Sequence, residues 1–257
     1  MSDWEALELA RLTDDALQAL LRNEVAAIRI PEFVDEQQRA AAADALLRCP
    51  AWAFYEGASP PLGRVGISQY EHHGSKEAYL AAAASASSQR ATVLAPLPDP
   101  LPGVLDAFAD AWHGEVQVAD EDGRAYFAGI FRRGGGGVKI HADWGPRDGP
   151  GWAIERIVAQ LAWNLYYTSP AVGGELVVYD YPWAPHLEAH ARQRFNDYDP
   201  TLFTYSRQVT MAPRPGEMIV FNSRNAHAVE ASPDSDSRIS FGSFVGATND
   251  GDLIFWS

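Results

Sequence analysis

Seven histidines and 34 acidic residues are the side chains in this 257-residue chain best suited to hold a metal. A histidine and a carboxylate two residues apart on a strand point the same way and reach one ion together. With a second histidine from elsewhere they form the two-His, one-carboxylate face that holds ferrous iron and leaves three positions for a co-substrate and O2. The His-x-acid pattern is short, and chance alone gives about one match in a chain of this make-up. Three occur, and their surroundings separate them. His113-Gly114-Glu115 closes a helical pattern over residues 101–112. His186-Leu187-Glu188 lies in a polar stretch read as a helical insertion, where positions i and i+2 diverge by roughly 200° and cannot chelate one ion. His141-Ala142-Asp143 follows the β-prone run Val138-Lys139-Ile140 after four glycines, and it alone has strand geometry.

The last histidine in the chain, His227, follows the turn-and-strand run Gly216-Glu217-Met218-Ile219-Val220-Phe221-Asn222 and is the expected third ligand. Further on come Arg238 and Ser240, again two apart on an expected strand. A guanidinium fork pairs bidentately with a carboxylate and a hydroxyl donates one more hydrogen bond, which suits the C5 carboxylate of 2-oxoglutarate. Taken singly, each part has a second reading: His141 as a surface histidine beside a glycine loop, Arg238 as a partner of Asp234 or Asp236. Their order along a series of strands favours the joint reading, with Fe(II), 2-oxoglutarate and O2 as cofactor and co-substrates. In residues 157–168, alternation puts Gln160, Ala162 and Asn164 on one face and Leu161, Trp163 and Leu165 on the other. The polar face is expected toward the iron, with Asn164 either a contact for a bound molecule or a satisfied buried amide.

These side chains need a scaffold. Helical patterns are expected near 4–22, 35–47 with Asp35 as N-cap, 75–86 and 101–112, with a β-prone run at 25–30. From residue 125 onward short strands follow one another at 125–132, 138–142, 157–168, 175–179, 203–211, 218–221 and 238–245, punctuated by Gly and Pro. Helices first and strands later give an α+β chain, a double-stranded β-helix (a cupin-like jelly roll) with the N-terminal helices packed on one sheet. We expect one oxygenase domain over 1–257, mainly helical over 1–124, with the jelly-roll core over 125–257. A helical insertion at 183–199 is either a lid, its His186, Arg192 and Arg194 pointing to an anionic substrate group, or a solvated surface helix. Trp144 either walls the pocket or belongs to the core. The glycines at 134–137 lack the context of a phosphate loop and read as a hairpin turn.

Net charge is −14, which repels phosphate backbones and anionic lipid, so the expected partner is a small molecule rather than nucleic acid or a membrane. A single cysteine, Cys49, excludes an internal disulfide and a thiolate metal cluster, and the acidic N-terminus has no apolar run after it. A reducing cytoplasm is the expected location.

His141-Ala142-Asp143, Gly173-Gly174-Glu175-Leu176-Val177-Val178-Tyr179, Pro215-Gly216-Glu217-Met218, His227 and Arg238-Ile239-Ser240 resemble the pattern of Fe(II)/2-oxoglutarate oxygenases. The glycine-led stretch with nearby Trp183, and the ending Phe255-Trp256-Ser257, are similar to one branch, the carrier-independent halogenases of welwitindolinone and hapalindole alkaloids. That resemblance covers residues 126–257, and more loosely 25–47. It implies a departure: those halogenases carry Gly where this chain has Asp143, and the missing carboxylate is what admits chloride. Hydroxylation of an unactivated C–H in specialised metabolism is therefore implied, with succinate and CO2 released. Desaturation, cyclisation and epimerisation are open to the same chemistry. The rival from another class is a cupin-like isomerase or ligand-binding module without redox chemistry, which has no need of the Arg238-x-Ser240 clamp.

Overall fold

The computed structural model describes residues 4–56, 58, 60–72, 74–192, 197–233 and 238–257. In chain order its main strands are β1 (Ala6–Glu8), β2 (Ala27–Ile30), β3 (Ala53–Phe54), β4 (Gly63–Val65), β5 (Val116–Val118), β6 (Ile130–Arg133), β7 (Val138–His141), β8 (Ile157–Thr168), β9 (Leu176–Pro182), β10 (Gln208–Met211), β11 (Met218–Phe221), β12 (Asn225–Val229), β13 (Ile239–Thr248) and β14 (Leu253–Trp256). Ten of them make one sheet, ordered β1-β2-β11-β8-β13-β6-β4-β3, with β14 on β13 and β5 on β14. The other four make a smaller sheet, β10-β9-β12-β7. This is a double-stranded β-helix in an α+β chain.

Side-chain alternation along β8 sorts the layers. Leu161, Trp163 and Leu165 join Phe241 and Val245 of β13 in a core against the helices. That core takes Leu17 and Leu20 from α1 (Asp14–Leu21) and Leu46 from α2 (Glu36–Leu47). Tyr79, Leu80 and Ala83 of α3 (Lys76–Leu94) pack with Phe127, Trp152 and Trp256 in a second cluster. Val104 and Phe108 of α4 (Leu101–Ala109) return to the first. Burying each large side chain there contributes about 1.5–3 kcal/mol. Ala162 and Tyr166 of β8 turn the other way and pack between the sheets with Leu176 and Val178 of β9 and Ile219 and Phe221 of β11. The expected split of Gln160, Ala162 and Asn164 from Leu161, Trp163 and Leu165 is thus the split between inner and helix-facing surfaces.

Local signals explain the helix starts. Thr13, Asp35 and Ser75 each accept a hydrogen bond from the backbone N–H three residues on, at 3.3, 2.9 and 3.3 Å. The expected helix over 4–22 is shorter: Ala6–Glu8 pairs in parallel with Ala27–Ile30, and the helix begins only after the Thr13 cap. Tertiary strand pairing overrides the leucine periodicity there. The helix begun at Ser75 runs to Leu94, longer than its alanine-rich start suggested. Residues 134–137 are not a hairpin turn, because β6 pairs with β4 and β13 in the larger sheet and β7 pairs with β12 in the smaller. The glycines carry the chain from one sheet to the other, and a Cβ on Gly137 (φ +79°) would stand 2.8 Å from the Val229 carbonyl.

Among the described residues the stretch 183–199 holds no α-helix. Its described part is a 3-10 turn over Pro185–His190 and two short paired strands, Ala191–Arg192 and Asp197–Tyr198. Leu187, Tyr198 and Phe203 pack with Ile140, Ala226 and Ala228. Those three alternate with His141 and His227, so Leu187 and Tyr198 lie against the outer face of the smaller sheet. Arg194 lies outside the described residues, as do Asp234 and Asp236.

Candidate metal centre

His141 ends β7 and His227 sits in the middle of β12, and the two are opposed across the antiparallel pair. Opposed side chains share a face and stand close, and here the ring centroids are 4.2 Å apart. Each ring is fixed in the same way: Nδ1 of His141 donates to the Lys139 carbonyl at 2.7 Å, and Nδ1 of His227 to the Asn225 carbonyl at 2.9 Å. A carbonyl only accepts, so the proton is on Nδ1 and the Nε2 lone pairs are free for a metal.

Asp143 follows on the turn after β7. Its backbone N–H donates to the Ser223 carbonyl at 2.9 Å. Gln160 braces that turn from β8, accepting from the Gly145 N–H at 2.6 Å and donating to the Ser223 hydroxyl at 3.1 Å. The result is a carboxylate whose Oδ2 lies 3.4 Å from His227 Nε2 and 3.8 Å from His141 Nε2. Among the described residues these three form the one group of ligating side chains clustered tightly enough to share an ion. Donors about 2.1 Å from one ion and at right angles to each other stand about 3 Å apart, so contractions of about 0.4 and 0.8 Å bring Oδ2 to that spacing from the two imidazole nitrogens. The donor chemistry fits Fe(II): two imidazole nitrogens and a carboxylate on one side, other positions open.

Electrostatics agree with the geometry. Burial pushes the His141 imidazole down to about 4, helped by the charge on neighbouring His227, so it is neutral at neutral pH as a ligand must be. Burial pushes the Asp143 carboxyl up, but the two imidazoles and the Tyr70 hydroxyl outweigh this and hold it below the usual carboxylate range. A buried carboxylate in this setting calls for a cation.

Tyr70, not anticipated from the sequence, donates to Asp143 Oδ1 at 2.8 Å. The same hydroxyl is 3.0 Å from Asp148 Oδ2. Arg147 holds Asp148 through Nε at 2.5 Å and Nη2 at 2.8 Å. Oδ1 of Asp143 is therefore occupied, and only Oδ2 faces the imidazoles. Trp144 is half-buried at the edge of the second core cluster, with the Arg224 guanidinium 4.9 Å from its ring.

Across the gap, Arg238 and Ser240 are buried on the inner side of the larger sheet, 6% and 4% exposed. No acid among the described residues forms an ion pair with Arg238. Ser240 is opposed to Tyr166, whose hydroxyl burial pushes up to about 12. Asn164 is half-buried on the same face, and Gly242 opposite leaves it room, since a Cβ there would stand 2.4 Å from Asn164 Oδ1. The sequence alternation reached Asn164; carried two residues further, it reaches Tyr166.

With this geometry in hand, the comparisons are consistent. The family described as carrier-protein-independent halogenase WelO5 matches residues 9–257. The leucinostatins biosynthesis cluster protein S of Purpureocillium lilacinum is 35% identical over 221 residues, covering 79% of this chain and 89% of that protein. The L-gamma-glutamyl-L-propargylglycine hydroxylase of Streptantibioticus cattleyicolor is 30% identical over 98% of this chain and 96% of its own length. Among solved structures, an N-substituted L-amino acid dioxygenase from Burkholderia ambifaria superposes with a TM-score of 0.63 at 16% identity, over 95% of this chain and 91% of that one. Its complex with α-ketoglutarate gives 0.61 at 18% identity, over 95% and 90%. At those identities the likeness is one of fold.

Proposed function

The chain belongs to the carrier-protein-independent halogenase WelO5 family, and from that premise we propose that it is an Fe(II)- and 2-oxoglutarate-dependent dioxygenase that hydroxylates an unactivated C–H of a small molecule. The setting proposed is specialised metabolism, in keeping with a relative named for a leucinostatin cluster and another named as a hydroxylase. The chain acts as one oxygenase domain. Its lone thiol, Cys49, is free, and the proposed location is the cytoplasm.

Nε2 of His141, Nε2 of His227 and Oδ2 of Asp143 would hold the iron, and Arg238 with Ser240 the distal carboxylate of 2-oxoglutarate. When bound, these groups and O2 supply the oxidative decarboxylation to succinate and CO2 and the oxidising power to remove hydrogen from carbon. The protein contributes placement. The Lys139 and Asn225 carbonyls lock both imidazole tautomers, and Tyr70 and the Gln160 brace aim one oxygen of Asp143; Asn164 on the inner face of β8 would contact the bound molecule. Three protein ligands would leave room at the metal for a chelating keto acid and O2. Chloride has none left, so the family's name does not carry its halogenation to a chain with Asp143 in the cluster.

The observation that carries this reading is the pairing of a buried His-Asp-His cluster with a buried guanidinium that no described acid neutralises. A cupin-like isomerase or ligand-binding module accounts for the first and leaves the second unexplained. Anaerobic Fe(II) plus 2-oxoglutarate is expected to give a weak visible metal-to-ligand charge-transfer band; a colourless mixture at saturating co-substrate argues for the rival.

A further inference from the structure

Arg132 carries a second positive charge into the space between the sheets, and its direction is fixed by register. It is opposed to Ser240 on one side and to Arg64 on the other, and Ser240 is opposed to Tyr166. Opposed residues point to one face, so Arg64, Arg132, Ser240 and Tyr166 form a row across four strands. Their sequence neighbours Val65, Phe131, Phe241, Leu165 and Tyr167 lie in the helix-side core, so the row faces the smaller sheet.

Charge along the row is uneven. Arg64 is neutralised by Glu71 at 2.6 Å. Arg132 has one weak contact among the described residues, Nη1 to the Gly242 carbonyl at 3.5 Å, and no ion pair. Burial lowers Arg238; the Tyr166 hydroxyl opposes this and the charge of Arg132 adds to it. Two guanidinia thus face one interior space with no ion-paired acid among the described residues, an arrangement that calls for anions.

A single carboxylate does not account for both. It offers about four lone-pair sites. The fork of Arg238 would take two, and the hydroxyls of Ser240 and Tyr166 one each, which would saturate the distal end of 2-oxoglutarate without Arg132. We propose that Arg132 seats a carboxylate of the primary substrate, which makes the substrate class a small molecule with a free acid, such as an amino acid or its N-acyl or γ-glutamyl derivative. The inference rests on the oxygenase reading above and narrows its substrate.

The test uses the full chain loaded anaerobically with Fe(II) and 2-oxoglutarate, titrated calorimetrically with N-acetyl-L-leucine, γ-glutamyl-L-leucine and their C-terminal carboxamides. Expected is binding of the free acids about 10- to 100-fold tighter than the amides, from one buried charge-assisted contact. Arg132→Gln should remove that preference while leaving the charge-transfer band and 2-oxoglutarate affinity unchanged. The proposal is overturned if the acids show no advantage or no binding. It is equally overturned if Arg132→Gln weakens 2-oxoglutarate as Arg238→Ala does, which would put Arg132 in the co-substrate seat. Absence of the band in the unmutated protein is a different failure, that of the oxygenase reading itself.

Discussion

Replacing Tyr70 by phenylalanine removes one oxygen atom and leaves the ring where it lies, edge-on to Phe244 with centroids 6.3 Å apart. That oxygen is the donor 2.8 Å from Asp143 Oδ1 and also 3.0 Å from Asp148 Oδ2. Asp148 keeps its two hydrogen bonds from Arg147 and one from the Trp144 N–H, so its place is secure without Tyr70. Asp143 Oδ1 loses its side-chain donor in a buried site. A hydrogen bond to a charged group is worth about 1.5–3 kcal/mol, and every 1.4 kcal/mol or so is tenfold. Tyr70→Phe should therefore weaken Fe(II) binding about 10- to 100-fold, the usual range for a residue that orients a metal ligand. With the carboxylate free to turn, succinate release should exceed product formation. Fe(II) affinity by competition with a chelator, and the ratio of succinate to hydroxylated product, check both effects. Unchanged iron affinity with fully coupled turnover would show that Asp143 needs no help from Tyr70.

Asp143→Ala should abolish hydroxylation, and retained full turnover would remove it from the ligand set. Asp143→Gly opens one coordination position, and with excess chloride a chlorinated product is expected by mass spectrometry. Arg238→Ala should raise the 2-oxoglutarate KM by about 100-fold, near 3 kcal/mol for a buried charged contact, while Fe(II) binding holds. Gly242→Ala forces a Cβ to within 2.4 Å of Asn164 Oδ1 and 2.7 Å of the Trp163 carbonyl. Overpacking of that kind costs about 1–3 kcal/mol, a Tm drop of roughly 2–12 °C by thermal denaturation.

The His-Asp-His cluster was legible because strand chemistry is local. His141 and Asp143 are two apart after a β-prone run, and His227 is the last histidine in the chain. β8 was read to its ends because a long apolar-polar alternation is the strongest strand signal a sequence carries. What failed depended on distant partners. Ala6–Glu8 became a strand because Ala27–Ile30 lies beside it, which no leucine spacing reveals. The glycines at 134–137 read as a turn, and only the pairing of β7 with β12 shows a change of sheet. Tyr70 reaches Asp143 from 73 positions away and carries no motif. Arg132 ends an expected strand but belongs to no ligand motif, and its meaning comes from being opposed to Ser240.

Crystals grown anaerobically with Fe(II) and 2-oxoglutarate decide the central claim, read by anomalous scattering at the iron edge. The account predicts one iron about 2.1 Å from His141 Nε2, His227 Nε2 and Asp143 Oδ2, with the dicarboxylate running from the metal to the Arg238 guanidinium. Iron bound without Asp143, or a dicarboxylate whose far end avoids Arg238, would contradict it.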